Sequence, residues 1–266
     1  MLDKRMQDAI QYLSWLEVEE NRPKIKNIDE TIDELINTNK SCVRFGDGEL
    51  QLILNRSIPF QKSSKNLQKH LLDTLKNEND NIITCIPYGA YYPNNNITDL
   101  TIEFWKNAGY DWRNVMKESL NFKRTFYSTE MTMARELYKE CDLQKYFNKL
   151  RQIWENKDLT IICGKTVFNK IKYNVFDNAK SIEYQYTPSK NAYEKYEQIL
   201  SKAKENDKNR LIIIICGPTA TVLAYDLAKL GYRAIDFGHA LKSYNWYLMN
   251  KDTKSQSSAK EFFAPD

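Results

Sequence analysis

The chain has 266 residues, 42% of them apolar and 28% charged, with a formal net charge of +4 at pH 7. That length fits one decorated α/β unit or two small domains. Charges of both signs are interspersed with no block of Lys or Arg, which argues against a nucleic-acid track, and the longest apolar run, Leu211 to Cys216, is too short to span a membrane.

In chain order, Met6, Ile10, Leu13, Leu16 and Val18 predict an amphipathic helix over 3–20, broken by Pro23. Ile28, Ile32, Leu35 and Ile36 mark a second helix, leading into a strand at Cys42–Phe45. Gly46-Asp-Gly-Glu49 follows, read as an extended loop before a helical pattern at Leu50, Ile53 and Leu54. Ser63 and Ser64 precede a helix carrying Leu67, Leu71, Leu72 and Leu75, and Asn81–Ile86 reads as a buried strand ended by Pro87-Tyr-Gly89. Residues 88–96 form an aromatic, Asn-rich loop, with helical patterns at 98–108 and 131–139 and a short strand near Arg124–Tyr127.

The second half is more regular. Leu159–Cys163 is a strand closed by Gly164, with a helix expected after it; Ser181–Tyr186 is a further strand, and Ala192, Tyr196, Ile199, Leu200 and Ala203 mark a helix. Leu211–Cys216 is the strongest strand, followed by a helix opened by Gly217-Pro-Thr-Ala220 and stopped by Gly231, then a short strand at Ala234–Phe237 ending in Gly238-His239. The expected organisation is a single domain over 1–250 and a polar, flexible tail over 251–266, in which Phe262-Phe263 can dock back. Continuous apolar strands alternating with helices predict a parallel sheet covered on both faces. Ligands of such sheets bind beyond the carboxyl ends of the strands. The loops at 46–49, 87–93, 164–166, 217–220 and 238–239 all belong to that rim. The five cysteines form no Cys-x-x-Cys pair and the N-terminus lacks a signal-peptide apolar region, so the reading is a reduced, cytoplasmic protein.

Several rim residues carry candidate chemistry. Asp47 and Glu49, one residue apart between glycines, can reach one hard cation, and Mg²⁺ or Mn²⁺ is typically held by one or two carboxylates plus phosphate oxygens. Asp-Gly is equally a common turn signal. Gly217, Pro218, Thr219, Ala220 and Thr221 open a helix, and its free N–H groups and dipole suit an anion; a well-formed helix start accounts for the same residues. His239 can contact metal or phosphate, or when charged stabilise a leaving diphosphate; a hydrogen-bonded loop histidine is the plain alternative. Lys165 is a second phosphate contact or a solvated lysine, Asn191 is a helix N-cap with any ligand role additional, and Tyr88, Tyr91 and Tyr92 can stack on a sugar or base. Arg44 can assist at the diphosphate or pair with a carboxylate.

Taken together, Val43-Arg-Phe-Gly-Asp-Gly-Glu49, Pro188-x-x-Asn-Ala192, Gly217-Pro-Thr-Ala-Thr-Val-Leu-Ala-Tyr-Asp-Leu-Ala228 and Gly231-Tyr-x-Ala-Ile-Asp-x-Gly-His239 resemble the GT-D fold glycosyltransferases of bacterial adhesin and surface-polysaccharide glycosylation. The resemblance covers roughly 25–250 and implies an α/β, Rossmann-like, mostly parallel GT-D domain. It also implies a UDP-sugar donor (UDP-glucose favoured), a saccharide acceptor on a glycoprotein or polysaccharide, and Mn²⁺ or Mg²⁺ held by Asp47 and Glu49. Under it Arg44, Phe45, Gly46, Gly48, Lys165, Asn191 and Gly217–Thr221 line the nucleotide-sugar site, with Asp47, Glu49 and His239 catalytic. Two rim segments, Cys163–Ile171 and Ala240–Trp246, depart from the family pattern and bear on sugar and acceptor choice. The rival classes are another Rossmann-like, nucleotide- or adenosyl-dependent transferase, against which the sparse glycines of 46–48 count, and a non-catalytic module of a glycosylation complex.

Overall fold

Apolar runs long enough to be buried on both faces become the interior strands of one sheet. The computed structural model describes residues 22–264 without a break, and 3–6, 9, 10 and 13 before them. Strands β1 (Lys24–Ile25), β2 (Ser41–Arg44), β3 (Ile82–Ile86), β4 (Thr125–Ser128), β5 (Asp158–Gly164), β6 (Ser181–Thr187), β7 (Leu211–Ile215) and β8 (Ala234–Asp236) lie in the order β1-β4-β3-β2-β8-β7-β5-β6. Every pairing given by these strands is parallel. The β5–β7 register sets Leu159 beside Leu211 and Ile161 beside Ile213. Period-two alternation then divides each strand between two cores, Ile212 and Ile214 facing one side and Leu211 and Ile213 the other.

On the first face pack α2 (Asp47–Ile53), α3 (Lys65–Leu75), α4 (Asp99–Ser119), α7 (Tyr196–Ala203) and α8 (Pro218–Lys229). On the second lie α1 (Ile28–Asn37), α5 (Ala134–Leu137), α6 (Leu143–Arg151) and α9 (Ala240–Leu248). Local chemistry starts these helices where the sequence predicts. Asn27 and Glu30 form a reciprocal capping box on α1, and the Ser64 hydroxyl accepts from the Leu67 amide to cap α3.

The sheet order reverses between β2 and β8. From β2 the chain steps outward through β3 and β4, while β5–β8 fill the other side. Such a switch point opens a crevice at the carboxyl ends of the strands.

Some expectations give way. The helix expected over 98–108 runs on to Ser119, because Trp105, Trp112 and Met116 continue its buried stripe past Gly109. Where a helix was expected after Gly164, residues 165–179 form turns. Several of their amides close turns on carbonyls three residues back, such as Val167 on Gly164 and Ile171 on Phe168, while Asn245 Oδ1 accepts from both Lys172 and Tyr173 (2.9 and 3.0 Å) and Asn174 accepts from Phe176. The polar tail holds a helix, α10 (Gln256–Phe263), which was not expected, and its Phe262 is fully buried, docked as the sequence allowed. At the N-terminus the backbone is helical at 4–6, 9, 10 and 13, with Met6 and Leu13 exposed; Leu16 and Val18 lie outside the described residues. No helix among the described residues is long and apolar enough to cross a membrane.

Candidate active site

A pocket of about 360 Å³ sits at the switch point, within the size range of small-molecule sites. Its walls come from the carboxyl ends of β2, β5, β6, β7 and β8, through Arg44, Gly46–Glu49, Gly164, Pro188–Ser189, Ile215–Pro218, Asp236, Gly238 and His239. The loop Ile58–Gln61 closes one side, and α9 and the end of α10 close the other.

The carboxylates do not stand in an extended loop, as the sequence suggested. Asp47 and Glu49 are the first and third residues of α2, with Gly46 as N-cap. Glu49 Oε2 accepts the Gly46 N–H at 2.7 Å, half of a capping box whose other half a glycine cannot supply. Glu49 is therefore partly committed to starting its helix. Burial, the nearby Asp236 carboxylate and, more weakly, Asp47 push the Glu49 carboxyl up to about 7, against the pull of the Gly46 amide. Solvent reaches Asp47 within the recess, yet the surrounding protein raises its carboxyl too, opposed by the amides of Asp47 and Gly48.

Beneath them Arg44, at the end of β2, is buried; its Nη1 lies 3.5 Å from Asp236 Oδ1 and its Nη2 donates to the Thr129 carbonyl at 3.0 Å. Asp236 also accepts from the Thr221 hydroxyl (3.0 Å) and the Gly238 amide (3.2 Å), so its oxygens are spent on the fold. Gly238 has φ +47°, and a Cβ there would stand 1.8 Å from Arg44 Nη1. Only glycine lets the guanidinium lie against this turn.

Arg44 thus pairs with Asp236, whereas Asp47 and Glu49 line the same pocket with their carboxyls raised by burial, so a cation there would relieve their charge. Among the described residues no three His, Cys, Asp or Glu side chains form a metal cage. The donors that remain are hard oxygens of Asp47 and Glu49, which suits Mg²⁺ or Mn²⁺ completed by phosphate and water rather than an all-protein site. The chemistry of the donor set fits; Asp47 is the more available ligand, since one Glu49 oxygen is already engaged.

Opposite Asp47, Gly217 caps α8 with φ +59° and ψ −149°, and Pro218 takes the first helical position. The helix N-terminus accordingly opens on the pocket. Thr219, Ala220 and Thr221 do not line it: all three are buried, and the Thr221 hydroxyl also donates to the Arg44 carbonyl at 3.0 Å.

Similarity to known proteins bears on what such a pocket is for. The family described as "Glycosyltransferase GT-D fold" matches residues 42–263. This chain belongs to the GT-D glycosyltransferase family. The protein named probable glycosyl transferase Gly of Streptococcus gordonii is 34% identical over 259 residues, 96% of this chain and 37% of that protein. Glycosyltransferase GlyD of Streptococcus pneumoniae is 32% identical over 89% of this chain and 29% of its own length. The chain thus spans about a third of the curated relatives it matches. Among solved structures, the domain described as "the highly conserved domain of unknown function 1792" with "a distinct glycosyltransferase fold" superposes with a TM-score of 0.86 at 31% identity, covering 92% of this chain and 88% of that one. A "new glycosyltransferase (DUF1792)" from Streptococcus sanguinis gives 0.80 at 33%, covering 86% of each chain.

Within this GT-D domain the pocket gathers Arg44, Gly46, Asp47, Gly48, Glu49, Gly217, Pro218 and His239 of the expected set. Phe45 is wholly buried in the core, and Lys165 points to solvent, outside the lining residues Gly164 and Thr166. Asn191 does not cap a helix through its side chain; it sits at φ +52° and ties two loops together, its Oδ1 accepting from the Lys62 amide and its N–H donating to the Phe60 carbonyl. Tyr88, Tyr91 and Tyr92 lie away from the pocket: Tyr91 is core, and Tyr88 stacks on Tyr92, whose hydroxyl bonds the Pro23 carbonyl. His239 half-buries against Phe262 and Phe263, and burial beside Arg44 and Lys242 lowers its pKa to about 3, so it is neutral rather than the cation considered from sequence. Asp236 and the Ile58–Gln61 loop were missed. The spacing Asp236-x-Gly-His239 at a strand end was the available signal for the first; nothing in the polar sequence around Phe60 signals the second.

Proposed function

We propose that this GT-D domain is a metal-dependent glycosyltransferase moving a hexose from a UDP-sugar, with UDP-glucose favoured, to a saccharide acceptor on a glycoprotein or surface polysaccharide. The observation that carries this reading is the meeting of two helix N-termini, α2 with its carboxylates and α8 with its glycine cap, at one switch-point pocket. A divalent cation held by Asp47 and Glu49 would supply Lewis-acid neutralisation of the diphosphate released when the anomeric C–O bond breaks. The chain's own groups serve the same charge. The N-terminus of α8 turns the positive end of its dipole toward a phosphate in the pocket, although Pro218 has no N–H and the Ala220 amide is already bonded to the Gly217 carbonyl. Arg44, fixed by Asp236 and the Thr129 carbonyl, adds a buried positive charge that needs no reorganisation as charge develops. Neutral His239 can donate one N–H from the pocket wall.

The test is Asp47→Asn beside wild type, measuring UDP affinity by calorimetry with and without Mn²⁺, turnover of UDP-glucose, and thermal unfolding. Expected are a Mn²⁺-enhanced UDP affinity lost in the variant, turnover reduced by at least about 100-fold, and an unchanged melting temperature, because Asp47 is exposed in the pocket. Undiminished turnover in EDTA, or full activity of the variant, would refute the metal role.

A further inference from the structure

The pocket has an aromatic wall that no part of the diphosphate grip uses. The α2 and α8 N-termini approach the strand ends from the first face of the sheet, whereas α9 and α10 bound the pocket from the second. There Phe263 lines the pocket and is 44% exposed, although its neighbour Phe262 is fully buried. The two rings meet edge to face at 5.0 Å, and Phe263 meets His239 the same way at 5.5 Å, with ring planes 88° apart in each case. The ring is therefore held in orientation by its edge contacts while remaining open to solvent.

Its support is built rather than incidental. Phe262 packs against Trp246 of α9 at 5.3 Å, and Lys242 donates to the carbonyls of Glu261 and Ala264, which fastens the last turn of α10. At the other end Asp252 accepts from the amides of Lys254 and Ser255 and from the Ser258 hydroxyl, fixing where the helix begins. A large apolar ring kept exposed beside neutral His239, across the strand ends from the anion site, suits the apolar face of a pyranose. It does not suit a phosphate.

We propose that Phe263 is a stacking platform for a sugar ring, making α10 a specificity wall of the pocket. This rests on the glycosyltransferase reading, and its chemistry fits either the donor hexose or an acceptor saccharide. The experiment compares wild type, Phe263→Ala and Phe263→Trp in the full chain with Mn²⁺, and reads three affinities: UDP alone, UDP-glucose, and free glucose or N-acetylglucosamine added to the UDP-loaded protein. UDP affinity should be the same in all three proteins, because Asp47, Glu49 and the α8 start lie on the other face and the His239 ring that Phe263 touches is itself unaltered. Phe263→Ala should weaken either UDP-glucose or the free saccharide by about fivefold or more, with Phe263→Trp restoring it. Loss in the UDP-glucose arm assigns the platform to the donor, and loss in the saccharide arm assigns it to the acceptor. Unchanged affinities in both arms overturn the proposal while leaving the function intact, as does an equal loss for UDP alone. A wild-type protein that binds neither UDP nor UDP-glucose overturns both readings.

Discussion

At the scale of single residues, the site is governed by what surrounds Arg44. The guanidinium is buried, paired at 3.5 Å with Asp236, and given room by the absence of a side chain at Gly238. Burial first, then the charges of Arg44 and Lys242, keep His239 neutral by lowering its pKa from 6.5 to about 3. In the unfolded chain the imidazole regains its ordinary value and takes up a proton first as pH falls. The folded state is thus fully favoured above about pH 6.5 and loses stability progressively from there toward pH 3. His239→Gln removes this linkage. Between about pH 7.5 and 4.5 wild type should lose on the order of 2 kcal/mol more unfolding free energy than the variant. Denaturant unfolding at the two pH values measures it, and equal losses would mean that the imidazole titrates normally in the fold.

At the scale of elements, the two helix starts differ in how far they could be read from sequence. The α8 start was legible because its strand is a continuous apolar run and Gly-Pro is an unambiguous opening. The α2 start was not: Asp-Gly favours a turn locally, and only the Glu49 bond to the Gly46 amide, with Leu50, Leu52 and Ile53 buried, makes it helical. The turns of 165–179 were not legible because the side chain that holds the Lys172 and Tyr173 amides, Asn245, comes some 70 residues later. Burial was equally invisible: Thr219–Thr221 are expected from sequence to meet an anion through their N–H groups and the helix dipole, and the fold buries all three. Gly217 offers a sharp test of the α8 start. Its backbone at φ +59° and ψ −149° lies in a region essentially closed to other residues, and a Cβ would come within 3.0 Å of the Phe60 ring. Gly217→Ala should cost about 1–3 kcal/mol of stability and weaken UDP by at least about tenfold, since the strain is relieved only by moving Phe60 or the helix N-terminus. Retained UDP affinity with a wild-type melting curve would detach the helix start from the ligand.

At the scale of the whole molecule, the parallel order and its reversal between β2 and β8 decide that loops far apart in sequence share one pocket. The parallel sheet and the shared rim follow from apolar strands alternating with helices, whereas the strand order does not. At the end of the chain the docking of Phe262 was legible, but the helix that carries it was not. A stretch reading Lys-Asp-Thr-Lys-Ser-Gln-Ser-Ser carries no buried periodicity of its own, and its one fully buried anchor is Phe262, seated between His239 and Trp246. The helix is short, so its order derives from that docking more than from propensity. Removing residues 255–266 should therefore act on the pocket as well as on the tail. Losing a fully buried Phe side chain costs on the order of 3 kcal/mol, which in a domain of this size lowers Tm by roughly 6–12 °C. The same truncation lets water reach His239, so its imidazole should titrate closer to 6.5 than to 3, as followed by the pH dependence of its ring proton resonances. A truncated protein with a lower Tm but an unshifted imidazole would mean that Arg44 and Lys242, rather than the cover supplied by α10, keep His239 neutral.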